Sequence, residues 1–200
     1  MFQLFQEHNA HIRVEARILT IKNDEIISAT RRWLEKSVIG LGLCPFAKSV
    51  YAAGRVRLFV SEQQTPESLL QDLERELMVL YRQDPQVCET TLLIHPWALR
   101  EFADYNDFLS ICDAALVQLD LEGELQIASF HPQYQFAGTQ PDDIENYTNR
   151  SPYPMLHLLR EDSIEQAIDG VTDTDAISAN NIRIMRDLGH QGWLRLWRDF

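Results

Sequence analysis

The sequence predicts an α/β fold, a single domain with a small, mostly parallel sheet of three to four strands flanked by helices. Short β-branched and apolar runs alternate along the chain with segments whose apolar residues recur every three to four positions. The chain has 200 residues and 45% hydrophobic content, which is enough to bury one core without a metal or a disulfide. A ferredoxin-like α+β arrangement is the alternative.

The chain divides into an amino-terminal extension, residues 1–22, and one domain, residues 23–200. The first helix of the domain is expected to be capped by Asp24 and to end before Pro45, because apolar residues recur at helical spacing between them. Gly54 then precedes an alternating segment that predicts a strand over residues 55–61.

Strands and helices alternate through the middle of the chain. Thr65 followed by Pro66 is typical of a helix start, and apolar residues continue at helical spacing to Leu80. Further strands are predicted over residues 89–94 and 124–130, with a helix between them over 105–119. Because a helical crossover returns the chain in the same direction, these units predict parallel neighbouring strands.

The last third of the chain begins with a long proline-rich segment, residues 131–154, that has no period of either kind. A loop of this length inside one domain is usually functional or disordered, and its aromatic residues favour an ordered loop. A fourth strand is predicted over 155–160, followed by a short helix that Ser163 is expected to start and a last helix over 177–188. The apolar tail is expected to dock on the domain; its large side chains are Trp193, Leu196, Trp197 and Phe200.

Composition excludes several classes of function. The formal net charge of -12 makes nucleic acid an improbable partner, and no apolar run approaches the roughly 20 residues of a membrane span. The polar amino terminus is unlike a signal peptide, and three cysteines without close spacing fit a reducing compartment, so we expect a cytoplasmic protein. Oligomeric state and cofactors are left open.

Two histidines end apolar strands in the same way. His95 precedes Pro96 and His131 precedes Pro132, and proline stops a strand while holding the residue before it extended. If these strands are parallel, both imidazoles emerge at the carboxyl edge of the sheet, where open α/β sheets bind ligands. The structural alternative is that each histidine caps its strand by bonding a nearby carbonyl.

The long loop is tethered to that edge and supplies an anion-binding candidate. Arg150 offers a planar guanidinium, with Asn149, Ser151 and Tyr153 beside it as neutral groups. Arg160, at the end of the fourth strand, is a further substrate-binding candidate. In the alternative, Arg150 pairs with a carboxylate of its own loop, for which Asp142, Asp143 and Glu145 are available.

Cys44 follows the first predicted helix, in the segment Leu43-Cys44-Pro45-Phe46-Ala47. It is either a nucleophile or a small buried side chain, and a helix that ends before it would not help to form a thiolate. A zinc site made by Cys44, His95 and His131 is chemically sensible, although no close pair of ligands supports it. We therefore assign no metal ligands.

Five motifs together resemble the signature of a largely bacterial, uncharacterised family, the domain of unknown function 1415. The resemblance covers roughly residues 25–190 and rests on these motifs: Leu43-Cys44-Pro45-Phe46-Ala47, Leu93-Ile94-His95-Pro96, Phe130-His131-Pro132 with Phe136-Ala137-Gly138, Asn149-Arg150-Ser151-Pro152-Tyr153-Pro154 and Leu156-His157-Leu158-Leu159-Arg160-Glu161. It implies one domain and gives no reaction.

The leading functional hypothesis is an enzyme that acts on a small anionic or polar metabolite. In it, His131 and His95 are acid/base candidates, Arg150 anchors the anion and Cys44 is a possible nucleophile. One alternative is a non-enzymatic module that binds a ligand or another protein through the aromatic loop and tail. A zinc-dependent enzyme is the other.

Overall fold

The structure is a computed structural model and describes residues 22–168 and 174–197. Most of the predicted extension, residues 1–21, lies outside this part of the chain, and so does Phe200 of the tail. The first described residues, 22–33, are helical and form α1. Since residue 22 is already helical, Asp24 lies inside the helix, and the prediction that it caps the helix is wrong.

The remaining elements follow the predicted order with two additions, a short helix after Pro45 and a 3-10 helix in the long loop. A π-helical turn, Leu34–Ile39, continues α1, and a 3-10 helix spans Ile144–Thr148 in the long loop. The helices are α2 (Ala47–Ala52), α3 (Pro66–Arg82), α4 (Phe102–Gln118), α5 (Glu161–Ile168) and α6 (Thr174–Leu196). The strands are β1 (Val56–Val60), β2 (Thr90–Ile94), β3 (Leu125–Phe130) and β4 (Met155–Arg160).

The four strands form one mixed sheet in the order β1-β2-β4-β3, which corrects the prediction of a mostly parallel sheet. β1 and β2 are adjacent and parallel, as a helical crossover requires. The crossover from β2 to β3 leaves a gap, and β4 fills it antiparallel to both neighbours. The element order β-α-β-α-β-β also differs from the β-α-β-β-α-β order of a ferredoxin-like fold.

The two faces of the sheet are covered differently. α3 and α4 pack on one face, where Leu93, Leu156 and Leu158 are fully buried with the leucines of α3. The opposite face carries Leu92, Ile94 and Met155 and packs against α1 and the π-helical turn through Trp33 and Leu34. We call this second face the open face, because its covering layer is incomplete.

The predicted helix ends agree with the structure for α3 and differ from it for α5 and α6. Thr65 caps α3 as predicted, since its hydroxyl accepts a hydrogen bond from the backbone N–H of Ser68 at 3.3 Å and Pro66 occupies the first turn. α5 instead begins at Glu161, directly after β4, so Ser163 does not start it. α6 extends beyond the predicted range to Leu196, across a kink at Gly189.

Strand directions determine which ends of the sheet meet. β2 and β3 run in the same direction because each is antiparallel to β4. His95 and His131, which follow these strands, therefore lie at the same edge of the sheet. Within the described part of the chain, no helix is long and apolar enough to cross a membrane.

Candidate functional site

A cavity of about 460 Å³ lies between the open face of the sheet and the layer formed by α1, the π-helical turn and α2. We call it the open-face cavity. Its volume falls in the range of roughly 300–1,000 Å³ that small-molecule sites occupy. Cys44, Thr90, His157 and Arg160 are among the residues that line it, and it runs toward the amino ends of β1 and β2.

Cys44 lines this cavity from the segment between the π-helical turn and α2. The π-helical turn widens the helix and presents Leu34, Val38 and Ile39 to the cavity, and π-helical segments are often found at functional sites. After Pro45 the chain begins α2, which the sequence did not predict. The Cys44 thiol is half-buried, and burial raises its pKa although the backbone amides of Ala47 and Phe46 oppose this effect.

His157 lies on the open face of β4 with a defined tautomer. The Thr90 hydroxyl donates to the carbonyl oxygen of Leu158 at 2.6 Å, so it can only accept from Nε2 of His157 at 2.7 Å. Nε2 therefore carries the proton and Nδ1 carries the lone pair. Burial lowers the pKa of His157 to about 4, so the ring is neutral at pH 7.

The charges on the cavity wall are nearly balanced. Arg55 and Glu89 form an ion pair at 3.1 Å, and the carboxylates of Glu124 and Asp162 also line the wall. Nη2 of Arg160 donates to the carbonyl oxygens of Leu80 and Gln83, both at 2.6 Å. With two guanidinium groups and three carboxylates, this wall has no field that would select an anion.

The two strand-end histidines lie in an aromatic cluster rather than in a cavity. Tyr105 of α4 separates them, with ring-centroid distances of 5.7 Å to His95 and 5.1 Å to His131. Phe102 packs on His131 at 5.4 Å. Both imidazoles are fully buried, and neither lines the open-face cavity.

Both histidines bond the turn that follows β2. Nδ1 of His95 lies 3.0 Å from the carbonyl oxygen of Ala98, to which it donates. Nδ1 of His131 accepts from the backbone N–H of Gln133, so its Nε2 donates to the carbonyl oxygen of Leu99. The φ of Leu99, 53°, is in the left-handed region. This is the arrangement that the structural alternative describes. Burial lowers the pKa of His95 to about 4 and also lowers the pKa of His131.

The long loop is held together by the residues that were predicted to bind an anion. Asn149 donates its side-chain N–H to the carbonyl oxygen of Ser129, and Ser151 donates its hydroxyl to the carbonyl oxygen of Tyr153. Arg150 bonds the carbonyl oxygens of Tyr134 and Pro141. None of the ion pairs in the described chain includes Arg150, and Glu145 of the same loop pairs with Arg186 of α6 instead.

The three residues of the possible zinc site do not come together in the described part of the chain. Cys44 lines the open-face cavity, whereas His95 and His131 are bonded to the turn after β2. Over residues 22–168 and 174–197, no group of three or more His, Cys, Asp or Glu side chains is placed to hold a metal ion. The zinc alternative therefore has no set of ligands in this part of the chain.

A family model described as a protein of unknown function (DUF1415) matches residues 25–195. This chain belongs to the DUF1415 family. The resemblance predicted from the five motifs is thus confirmed over the range on which they lie. No curated protein and no solved structure matches the chain.

Sequence reasoning did not identify the site that this DUF1415 member forms on its open face. Thr90 and His157 were read only as parts of strands, because a strand pattern does not show which neighbours a side chain meets. Four of the five family motifs carry a cysteine or a histidine, and nothing in the sequence singles out Cys44 and His157 as the pair that the fold brings to one cavity. Both line the same cavity in the structure.

Proposed function

We propose that this chain binds a small polar molecule with an apolar body in the open-face cavity. One observation supports the proposal: two distant motifs of the family signature bring Cys44 and His157 to the wall of one cavity of ligand size. The wall combines apolar side chains such as Leu92 and Phe130 with a few oriented polar groups. A ligand with little net charge fits this wall better than an anion does.

Binding is better supported than catalysis by Cys44. A nucleophilic thiol needs a base to take its proton. On His157 only Nδ1 could act as this base, because Nε2 already carries a proton. Burial raises the pKa of the Cys44 thiol and lowers the pKa of His157 to about 4, so the thiol proton would move strongly uphill.

The enzymatic hypothesis built on His95, His131 and Arg150 stays a prediction. Both imidazoles are buried and bonded to backbone groups, which favours a role in holding the turn after β2. Its test is a metabolite screen by thermal shift with the wild-type protein and with His131→Ala and Arg150→Ala. Shifts that neither substitution alters would end this hypothesis.

Alkylation by iodoacetamide tests whether the open-face cavity admits small molecules. Cys44 is half-buried whereas Cys88 and Cys112 are buried, so Cys44 should react faster than the other two thiols in the folded protein. Ala47→Phe places a ring in the cavity and should slow this reaction at least tenfold. Ala52→Phe, in the same short helix but away from the cavity lining, is the matched control.

The outcomes of this experiment separate clearly. The proposal is supported if Ala47→Phe alone slows the reaction of Cys44 and if a metabolite that raises the melting temperature also protects Cys44 in the wild-type protein. It is overturned if Cys44 reacts as slowly as Cys88 and Cys112. It is equally overturned if stabilising metabolites leave the alkylation rate unchanged.

A further inference from the structure

A second pocket lies where the long loop meets α6, and its walls are mostly aromatic. It has a volume of about 300 Å³ and is lined by Trp33, Tyr147, Trp193 and Trp197 together with Arg150. Pro132, Ser151 and Pro152 complete the lining. We call it the aromatic pocket. Aside from Trp33, its residues are distinct from those of the open-face cavity.

The rings are held in place by one another. Trp193 packs edge-on against Tyr147 at 5.2 Å and against Trp197 at 5.7 Å. Trp33 is fixed from the opposite side, because its indole N–H donates to the carbonyl oxygen of Arg150 at 2.9 Å. Ordered aromatic walls of this kind favour a planar ring that can stack or pack edge to face.

Arg150 is the one charged side chain in the lining of this pocket, and no ion pair of the described chain neutralises it. Its guanidinium lies 4.1 Å from the centre of the Tyr147 ring. Nε donates to the carbonyl oxygen of Tyr134 and Nη2 to that of Pro141, which fixes the orientation of the group. Nη1 and the second hydrogen of Nη2 remain available to a ligand.

Of the three carboxylates in the same loop, two are already engaged, and Asp142 is in none of the ion pairs of the described chain. Glu145 forms an ion pair with Arg186 of α6, and Asp143 accepts a hydrogen bond from the backbone N–H of Gln140. An oriented guanidinium offers two parallel donors to a carboxylate and repels a cation, so it favours an anionic ligand.

We propose that the aromatic pocket binds a small aromatic carboxylate, with the ring between the indoles and the carboxylate on Arg150. The volume accommodates one ring and its acid group. The charge of Arg150 excludes the quaternary ammonium ligands that aromatic walls otherwise attract. This site is separate from the open-face cavity, and either can exist without the other.

Benzoate and benzamide are the probes, because they share a ring and differ in charge. Three of the four tryptophans of the chain line the pocket, so tryptophan fluorescence reports binding directly. Benzoate should bind the wild-type protein at least tenfold more tightly than benzamide. Arg150→Gln should abolish this preference, and added salt should weaken it.

The matched control is Arg186→Gln. It removes the same charge and also loosens a contact of the long loop, the ion pair with Glu145, but Arg186 does not line the pocket. It should leave the affinity for benzoate within twofold of the wild-type value. Trp193→Leu, which removes one wall, should weaken the binding of both probes.

Several results would overturn the proposal. Equal affinities of benzoate and benzamide for the wild-type protein would do so even if Arg150→Gln did not fold. An absence of any fluorescence change at 20 mM benzoate, on the order of the weakest binding that a specific pocket supports, would also do so. Binding of benzoate that survives both Arg150→Gln and Trp193→Leu would place the ligand elsewhere and contradict the assignment.

Discussion

Removal of one hydroxyl group tests whether the aromatic cluster at the carboxyl edge is a structural element. Tyr105 is fully buried between His95 and His131. Its hydroxyl donates to the carbonyl oxygen of Met155 at 2.9 Å and accepts from the backbone N–H of Phe130 at 3.0 Å. Since these two residues are register partners, the hydroxyl bridges β3 and β4 at the end of their ladder.

Tyr105→Phe keeps the ring and removes both hydrogen bonds. Each backbone group left buried without a partner costs about 1–3 kcal/mol, so we expect a loss of about 3 kcal/mol in the free energy of unfolding. For a chain of this size, that loss corresponds to a fall of roughly 6–12 °C in the melting temperature. Urea denaturation monitored by circular dichroism measures the free energy, and calorimetry measures the temperature.

Tyr134→Phe is the matched control, because the Tyr134 hydroxyl is half-buried and meets only the Ser129 hydroxyl, at 3.2 Å. It should cost less than about 1 kcal/mol. A loss below about 1 kcal/mol for Tyr105→Phe would refute the reasoning. It would mean that β3 and β4 close the ladder directly and that the hydroxyl does not bridge them.

Two further predictions concern pH and backbone packing. As the pH falls from 7 to 5, His95 and His157 should each reduce the free energy of unfolding by about 2 kcal/mol. In the unfolded chain each imidazole takes up a proton near pH 6.5, whereas in the folded chain, with a pKa of about 4, it stays neutral. Urea denaturation at both pH values checks this, and equal stability would contradict it. Gly40→Ala should destabilise the protein by roughly 1–3 kcal/mol, since an added Cβ would lie 2.3 Å from the carbonyl oxygen of Lys36 in the π-helical turn. It should also change the alkylation rate of Cys44, and an unchanged rate would show that the turn does not position the thiol.

The sequence was informative wherever a local pattern determines local structure. The Thr65-Pro66 start fixed α3, and alternating or apolar runs located all four strands of the described sheet to within one or two residues. α2 was missed because six residues are too few to show a helical period. The π-helical turn was read as ordinary helix, since both place apolar residues at similar spacing.

Pairing between strands was not readable from the same patterns. The period of the apolar residues indicates which face of a strand is buried, but it does not indicate which strand lies beside it. The crossover from β2 to β3 was correctly read as returning the chain in one direction, but nothing in residues 90–130 indicates that another strand separates them. That strand comes after the long loop, whose path has no period from which it could be predicted.

The antiparallel insertion of β4 explains why the sequence placed Arg160 at the wrong edge. A parallel fourth strand would end beside His95 and His131, and its last residue would join them. Because β4 runs in the opposite direction, Arg160 pairs in register with Leu125, at the start of β3, and lines the open-face cavity instead. At the carboxyl edge both strand-end histidines are buried and bond the turn after β2, while the opposite edge opens into the cavity that Cys44 and His157 line. The direction of β4 therefore decides that Arg160 lines the same cavity as Cys44 and His157.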